Sequence, residues 1–318
     1  MRWIEVTAKT AEGMADRVAD LLMDAGAKGT AWEAKPSHIV GGGDGDAAAR
    51  MAAVRAYFPE GVDPVRLIER LEAVFGSDPE LGGSGEGDAM GPVFEFRYVE
   101  DEDWGSAWKA YFKPLKIGRR LVIRPSWEPY AAGPGDLVIT LDPGMAFGTG
   151  DHPTTAMCLE LLEDEMGART SAKGPVALDV GTGSGILSVA LAMLGASRVV
   201  AVDIDETAVG IARDNARLNG VEDRVEVIHG DISAAFGRTG PADRFDLVVA
   251  NILAPVIASI APAVSEGLKE GGAFICSGIF RDQAESVEEA LIASGFSDLK
   301  PVTSGEWVAF RCRKRCGG

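Results

Sequence analysis

From Gly174 onward the chain repeats one pattern: a short apolar run, a turn built on glycine or aspartate, and a longer stretch with apolar residues at helical spacing. Val176 to Val180 reads as a buried strand, Ile186 to Leu194 as a nearly all-apolar helix, and Arg198 to Asp203 as the next strand. Glu206 to Asn219 is a helix closed by Gly220, followed by strands at Val225 to His229 and Asp246 to Ala250. A helix opened by Pro255 leads to a strand at Ala273 to Cys276, and a helix near Asp282 to Ala293 precedes two terminal strands, the second at Trp307 to Cys312. Strands alternating with helices predict an α/β unit whose mostly parallel sheet is covered on both faces.

The first hundred residues follow a different rhythm. Trp3, Glu5 and Thr7 alternate with Arg2, Ile4 and Val6 in a strand; Met14, Val18, Leu21 and Leu22 then repeat at helical spacing until Gly26. Further strands are predicted near Lys28 to Ala34 and Ala53 to Phe58. Asp63-Pro64 opens a helix that carries Val65, Leu67, Ile68, Leu71, Val74 and Phe75 inward, and Pro92 to Val99 gives the last strand. The order βαββαβ is that of a split βαβ, ferredoxin-like α+β module. Glycine-rich stretches at Gly41 to Asp46 and Gly82 to Gly87 interrupt it as loops. We therefore expect a ferredoxin-like domain over residues 1–100, a connector over 101–145 and an α/β domain over 146–318. In the connector, Trp104 and Trp108 share one face of a short helix and suit packing, and strands follow at Lys113 to Ile117 and Arg120 to Ile123.

Composition narrows the chemistry. With 318 residues and 46% hydrophobic content the chain can bury a large core, and no apolar run approaches the roughly 20 residues that span a bilayer. Met1 to Val6 alternates like a strand and not like a signal peptide, so a cytoplasmic protein is expected. Cys158, Cys276, Cys312 and Cys316, with His38, His152 and His229, lack paired ligand spacing, and neither a metal site nor a disulfide framework is predicted. A formal charge of −17 disfavours a direct grip on nucleic-acid phosphates and suits a cationic partner.

Ligands of such sheets sit beyond the carboxyl ends of the strands, here at Asp179 to Gly185, Asp203 to Asp205, Gly230-Asp231 and Asn251. Gly181 and Gly183 allow a tight turn and close approach to a ligand. A dinucleotide fingerprint reads Gly-x-Gly-x-x-Gly, whereas Gly185 comes one residue early and the acidic Asp179 precedes the turn, so phosphate cradling is disfavoured. Asp203, ending the second strand, can accept both hydroxyls of a ribose; Asp205 suits a helix cap. Asp231 could accept from an adenine amino group or simply make a turn. Between Leu141 and Thr155 a loop rich in glycine and hydroxyls precedes these elements, and its glycines at 144, 148 and 150 would let it close as a lid.

Asp179-Val180-Gly181-Thr182-Gly183-Ser184-Gly185 with Asp203 on the next strand resembles the Rossmann-like fold of class I S-adenosylmethionine-dependent methyltransferases. Trp108-Lys109, Phe112-Lys113-Pro114, Asp142 to Gly144, Ala146 to Gly150, His152 to Thr155 and Asn251 to Ala254 are similar to the ribosomal protein L11 methyltransferase family (PrmA family), over most of the chain. This resemblance implies a mostly parallel seven-stranded sheet, a substrate-recognition role for the ferredoxin-like domain, S-adenosylmethionine as cofactor without a metal, and methylation of amino groups of ribosomal protein L11, free or on the large subunit. It implies cofactor contacts at Thr155, Gly181, Asp203 and Asn251, to which Phe147, Gly183 and Asp231 are added. Asn251 would orient the amine, since an amide oxygen accepts hydrogen bonds but is no strong base. Ile252-Leu253-Ala254 after Asn251, in place of Pro-Pro-aromatic, favours an aliphatic amine. His152, ahead of Pro153, is expected to brace its loop. Other readings are another protein lysine or a small amine as substrate, or a noncatalytic binding module that holds the cofactor for stability.

Overall fold

The computed structural model describes residues 2–11, 14–27, 30–34, 51–59, 61–77, 92–100, 113–142, 150, 152–169, 173–236 and 244–316. Its compact units are Met1–Phe112 and Lys113–Gly318, so the strands expected in the connector group with the second unit. The glycine-rich stretches 41–46 and 82–87 and the helix with Trp104 and Trp108 lie outside the described residues.

The first unit runs β1 (Arg2–Ala11), α1 (Ala15–Asp24), β2 (Thr30–Ala34), β3 (Met51–Pro59), α2 (Pro64–Ser77) and β4 (Val93–Glu100). Its antiparallel sheet has the order β2-β3-β1-β4, which is the ferredoxin-like arrangement. Alternation puts Ile4, Val6 and Ala8 of β1 and Val54, Ala56 and Phe58 of β3 on one face, against Val18 and Leu22 of α1 and Leu67, Leu71 and Phe75 of α2. Asp63 caps α2, its Oδ1 accepting from the amides of Val65 at 3.1 Å and Arg66 at 3.3 Å. Val65 and Val74, expected to face inward, are 54% and 40% exposed. The buried stripe of α2 passes through Leu67, Leu71 and Phe75; Val65 stands two residues, about 200°, away from its first member and Val74 lies on its flank.

The second unit begins with a three-stranded sheet of β5 (Leu115–Ile117), β6 (Leu121–Pro125) and β7 (Leu137–Leu141), followed by α3 (Pro153–Gly167). Then come β8 (Val176–Val180), α4 (Ile186–Met193), β9 (Arg198–Asp203), α5 (Glu206–Leu218), β10 (Val225–His229), α6 (Ile232–Phe236), β11 (Phe245–Asn251) and α7 (Ala254–Gly267). The chain ends with β12 (Leu268–Phe280), α8 (Ala284–Ala293), β13 (Phe296–Ser304) and β14 (Trp307–Lys314).

The seven-stranded sheet has the order β10-β9-β8-β11-β12-β14-β13. Strands β8 to β12 are parallel, and β14 enters antiparallel between β12 and β13. Both faces are covered. Ala177, Val199, Val249 and Ile275 meet Leu159 and Leu162 of α3 and Leu187 and Leu191 of α4, with Leu121, Ile139 and Leu141 of the small sheet joining them. Leu178, Val200, Val248 and Phe274 meet Ile257 and Ala261 of α7 and Leu291 of α8. That double cover explains why the strands read as continuous apolar runs and why α4 is buried from Ile186 to Ala192. β8, next to both β9 and β11, is where the strand order reverses, the place at which such sheets leave a crevice.

Candidate active site

At the end of β8 the chain turns sharply, and the amides of Gly181 and Thr182 donate to the Val202 carbonyl of β9 at 2.9 and 3.1 Å. Gly181 has φ +72°, and a Cβ there would lie 2.4 Å from Ile252 Cγ2, so only glycine lets the turn after β8 meet the turn after β11. Gly183 donates its amide to Asp203 Oδ2 at 2.8 Å, and Asp205 donates to Asp203 Oδ1 at 3.0 Å. These bonds fix the carboxylate beside the glycine turn and use one lone pair on each oxygen, which leaves both oxygens able to accept again. Asp205 serves as the cap of α5, accepting from the Thr207 amide at 2.8 Å.

Beneath the turn, Asp179 is fully buried; Thr182 Oγ1 and Ser188 Oγ both donate to its Oδ2 at 2.7 Å, while Oδ1 has no partner. Burial pushes this carboxyl up to about 6, with the nearby Asp203 charge acting in the same direction.

Asn251 ends β11. Its Nδ2 donates to Thr155 Oγ1 in the first turn of α3 at 3.2 Å. The cap of α7 is Leu253, so Asn251 does not cap that helix. The turn that follows is held on its other side by β12: Ile252 donates its amide to the Ser277 carbonyl at 3.1 Å, and Gly278 lies directly under it. His152 caps α3, its Nδ1 2.7 Å from Thr154 Oγ1, and its ring meets Trp307 edge-on at 5.0 Å. Trp307 in turn stacks on Phe280 at 4.0 Å, so a bracing role for His152 agrees with its surroundings.

A third set of contacts joins the glycine turn to the small sheet. On α5, Asn215 accepts from the Asp142 amide at 2.9 Å and donates Nδ2 to the carbonyls of Asp142 at 3.1 Å and Ser184 at 2.8 Å. One turn on, Asn219 accepts from the Thr140 amide at 2.8 Å and donates to the Thr140 carbonyl at 2.7 Å.

Of the residues singled out in the sequence, Gly183 and Asp203 are thus bonded to each other, Thr155 and Asn251 are bonded to each other, and Gly181 touches the residue after Asn251. Asp231 stands at the end of β10, but its Oδ1 accepts from the amide and hydroxyl of Ser233 and so caps the short α6. Phe147, with Gly144, Gly148, Thr149 and Asp151, lies outside the described residues. Asn215 and Asn219 were not anticipated, although their spacing of four on a predicted helix placed them on one face.

The turns at 179–185, 203–205, 229–231 and 251–253 contain four aspartates and no lysine or arginine. Such an edge suits a ligand that carries positive charge and ribose hydroxyls, and it suits a polyphosphate poorly. Among the described residues, no group of three or more His, Cys, Asp and Glu is placed to hold a metal ion.

Residues 2–315 match the family model of ribosomal protein L11 methyltransferase (PrmA). A ribosomal protein L11 methyltransferase of Alkaliphilus oremlandii is 39% identical over 323 residues, which covers 97% of each chain. That of Pelotomaculum thermopropionicum is 41% identical over 98% of this chain and 99% of its own. Among solved structures, a ribosomal protein L11 methylase from Lactobacillus delbrueckii subsp. bulgaricus superposes with a TM-score of 0.57 at 33% identity, covering 64% of this chain and 100% of that one.

Proposed function

The chain belongs to the ribosomal protein L11 methyltransferase family, and from that premise we propose that it transfers methyl groups from S-adenosylmethionine to amino groups of ribosomal protein L11, on lysine side chains, the N-terminal amine or both. The observation that carries the site reading is the pairing of Asp203 with the glycine turn on one side and of Asn251 with α3 on the other, along an edge free of basic residues. When bound, S-adenosylmethionine supplies an electrophilic methyl carbon on a sulfonium.

In this reading the spare lone pairs of the Asp203 carboxylate accept the ribose hydroxyls, and the side-chain-free turn at Gly181 and Gly183 lets backbone approach the ligand. The aspartates along the edge favour a cation in the crevice. The target amine must arrive neutral, although a free lysine has a pKa of about 10.4 and an α-amino group one of about 8. Asn251 Oδ1 accepts an N–H of that amine and turns its lone pair toward the methyl carbon. The proton has gone to water beforehand, so the chain need hold no strong base. Alignment of nitrogen, carbon and sulfur is the main task, and it can lower a barrier by roughly 7 to 11 kcal/mol in favourable cases.

The formal charge of −17 supports a basic protein as partner, met free or on the large subunit in the cytoplasm. Among the described residues, no helix is long and apolar enough to cross a membrane. The test is transfer of labelled methyl to purified ribosomal protein L11, free and within ribosomes, with mass spectrometry of the product. Incorporation at amino groups is expected; intact cofactor binding without incorporation refutes the substrate assignment.

A further inference from the structure

Thr155 has no exposed surface, and the bond that its hydroxyl makes is to the side chain of Asn251. We infer that Thr155 is a positioning residue that acts on methyl transfer through Asn251, by holding the amide with Nδ2 inward and Oδ1 toward the incoming amine. This inference rests on the proposed role of Asn251.

The chemistry makes the direction of that amide decisive. A primary amide presents an acceptor at one end and a donor at the other. With Oδ1 outward it takes an N–H of the target amine and leaves the nitrogen lone pair free for the methyl carbon. Turned over, it offers an N–H to that same lone pair and so ties up the electrons that must attack. A hydroxyl accepting from Nδ2 favours the productive state.

Thr155 is well anchored for this task from outside the crevice. The first turn of α3 is fixed by the His152 cap, by the 2.7 Å contact between His152 Nδ1 and Thr154 Oγ1, and by the His152 ring on Trp307. The next residue, Ile252, is held by Ser277 of β12. The two partners thus come from separately braced elements, and the hydrogen bond between them sets the amide.

The experiment compares wild type with Thr155→Val, Thr155→Ser, Asn251→Ala and the double variant Thr155→Val/Asn251→Ala. It measures kcat and KM on ribosomal protein L11, the dissociation constant for S-adenosylmethionine by calorimetry, and the melting temperature. A neutral hydrogen bond predicts a fall of about five- to tenfold in kcat for Thr155→Val. Cofactor affinity should stay within about twofold, serine should restore the rate, and the valine should add nothing once Asn251 is alanine. If valine unfolds the chain, Thr155→Ala carries the same expectations.

The inference is overturned if Thr155→Val weakens cofactor binding about tenfold while sparing kcat, which marks a direct cofactor contact. Losses that multiply in the double variant overturn it as well. Asn251→Ala impaired with Thr155→Val unimpaired removes this inference alone, whereas an unimpaired Asn251→Ala removes the reading of Asn251 beneath it.

Discussion

Replacing Asp179 with asparagine should change how the stability of the chain depends on pH, by an amount that follows from one buried carboxyl. Asp179 is wholly buried, its Oδ2 takes two neutral hydroxyls and its Oδ1 takes none, and burial raises its pKa from 3.8 to about 6. At about 1.36 kcal/mol per unit, that difference makes ionisation in the folded state cost about 3 kcal/mol. A carboxyl raised on folding binds its proton more tightly in the native state. The penalty is therefore absent below the unfolded value of 3.8, grows as pH rises through the window, and is complete above about 6. Asparagine does not titrate. Its amide does place an N–H where Oδ1 lacks a partner, a constant offset of about 1–3 kcal/mol. The test is thus the slope and not the offset: urea unfolding of both proteins, from about pH 4.5 to about pH 7.5, should show the variant gaining about 2 kcal/mol on wild type. Other titrating groups cancel in the difference. A difference that stays flat within about 0.5 kcal/mol across that range refutes the argument from burial.

Asp203→Ala removes the acceptor of both the Gly183 and Asp205 amides together with two proposed charge-assisted bonds to a ribose, and calorimetry should show cofactor affinity down by at least about 100-fold; a loss under about threefold counts against the assignment. Gly278→Ala would set a Cβ 2.3 Å from the Ile252 carbonyl oxygen at φ +90°, so thermal melting should report a loss of about 2–4 kcal/mol, with methyl transfer falling as the turn after Asn251 shifts. Glu165 is buried against Arg313 at 2.7 Å, Arg169 at 3.0 Å and Arg311 at 3.6 Å; Glu165→Gln leaves three guanidiniums without their shared anion, and denaturant unfolding should show a loss of about 3 kcal/mol, largely independent of cofactor.

Local pattern made much of the sheet readable. β8, β9 and β10 fall where apolar runs end in Gly181, Asp203 and Gly230, because a strand covered on both faces has no polar side to confuse its limits. α3 escaped for the opposite reason. Its buried positions include Glu163 and Glu165, which look like a solvated face until their partners are known: Glu163 accepts the amides of Arg119 at 2.7 Å and Arg120 at 2.8 Å, and Glu165 holds its arginines. The five residues of β7 and of α6 are too short for periodicity to decide. At the candidate site, the glycine turn and Asp203 are legible because the constraint is local. The Asn251–Thr155 bond joins residues 96 apart, and the Asn215–Asp142 bond residues 73 apart. No spacing rule reaches that far, so resemblance to a family, and not periodicity, first drew attention to Thr155 and Asn251.

The two asparagines of α5 have a consequence for how the protein keeps to itself. β7 has a strand neighbour, β6, on one side only. On the other side, Asn215 and Asn219 satisfy the amides and carbonyls of Asp142 and Thr140, so two side chains of a helix stand in for the missing strand. A bare edge would invite strands from other molecules and seed aggregation. Here the groups that would recruit them are already occupied, which lets a small sheet end at this edge without charged gatekeepers or a covering strand.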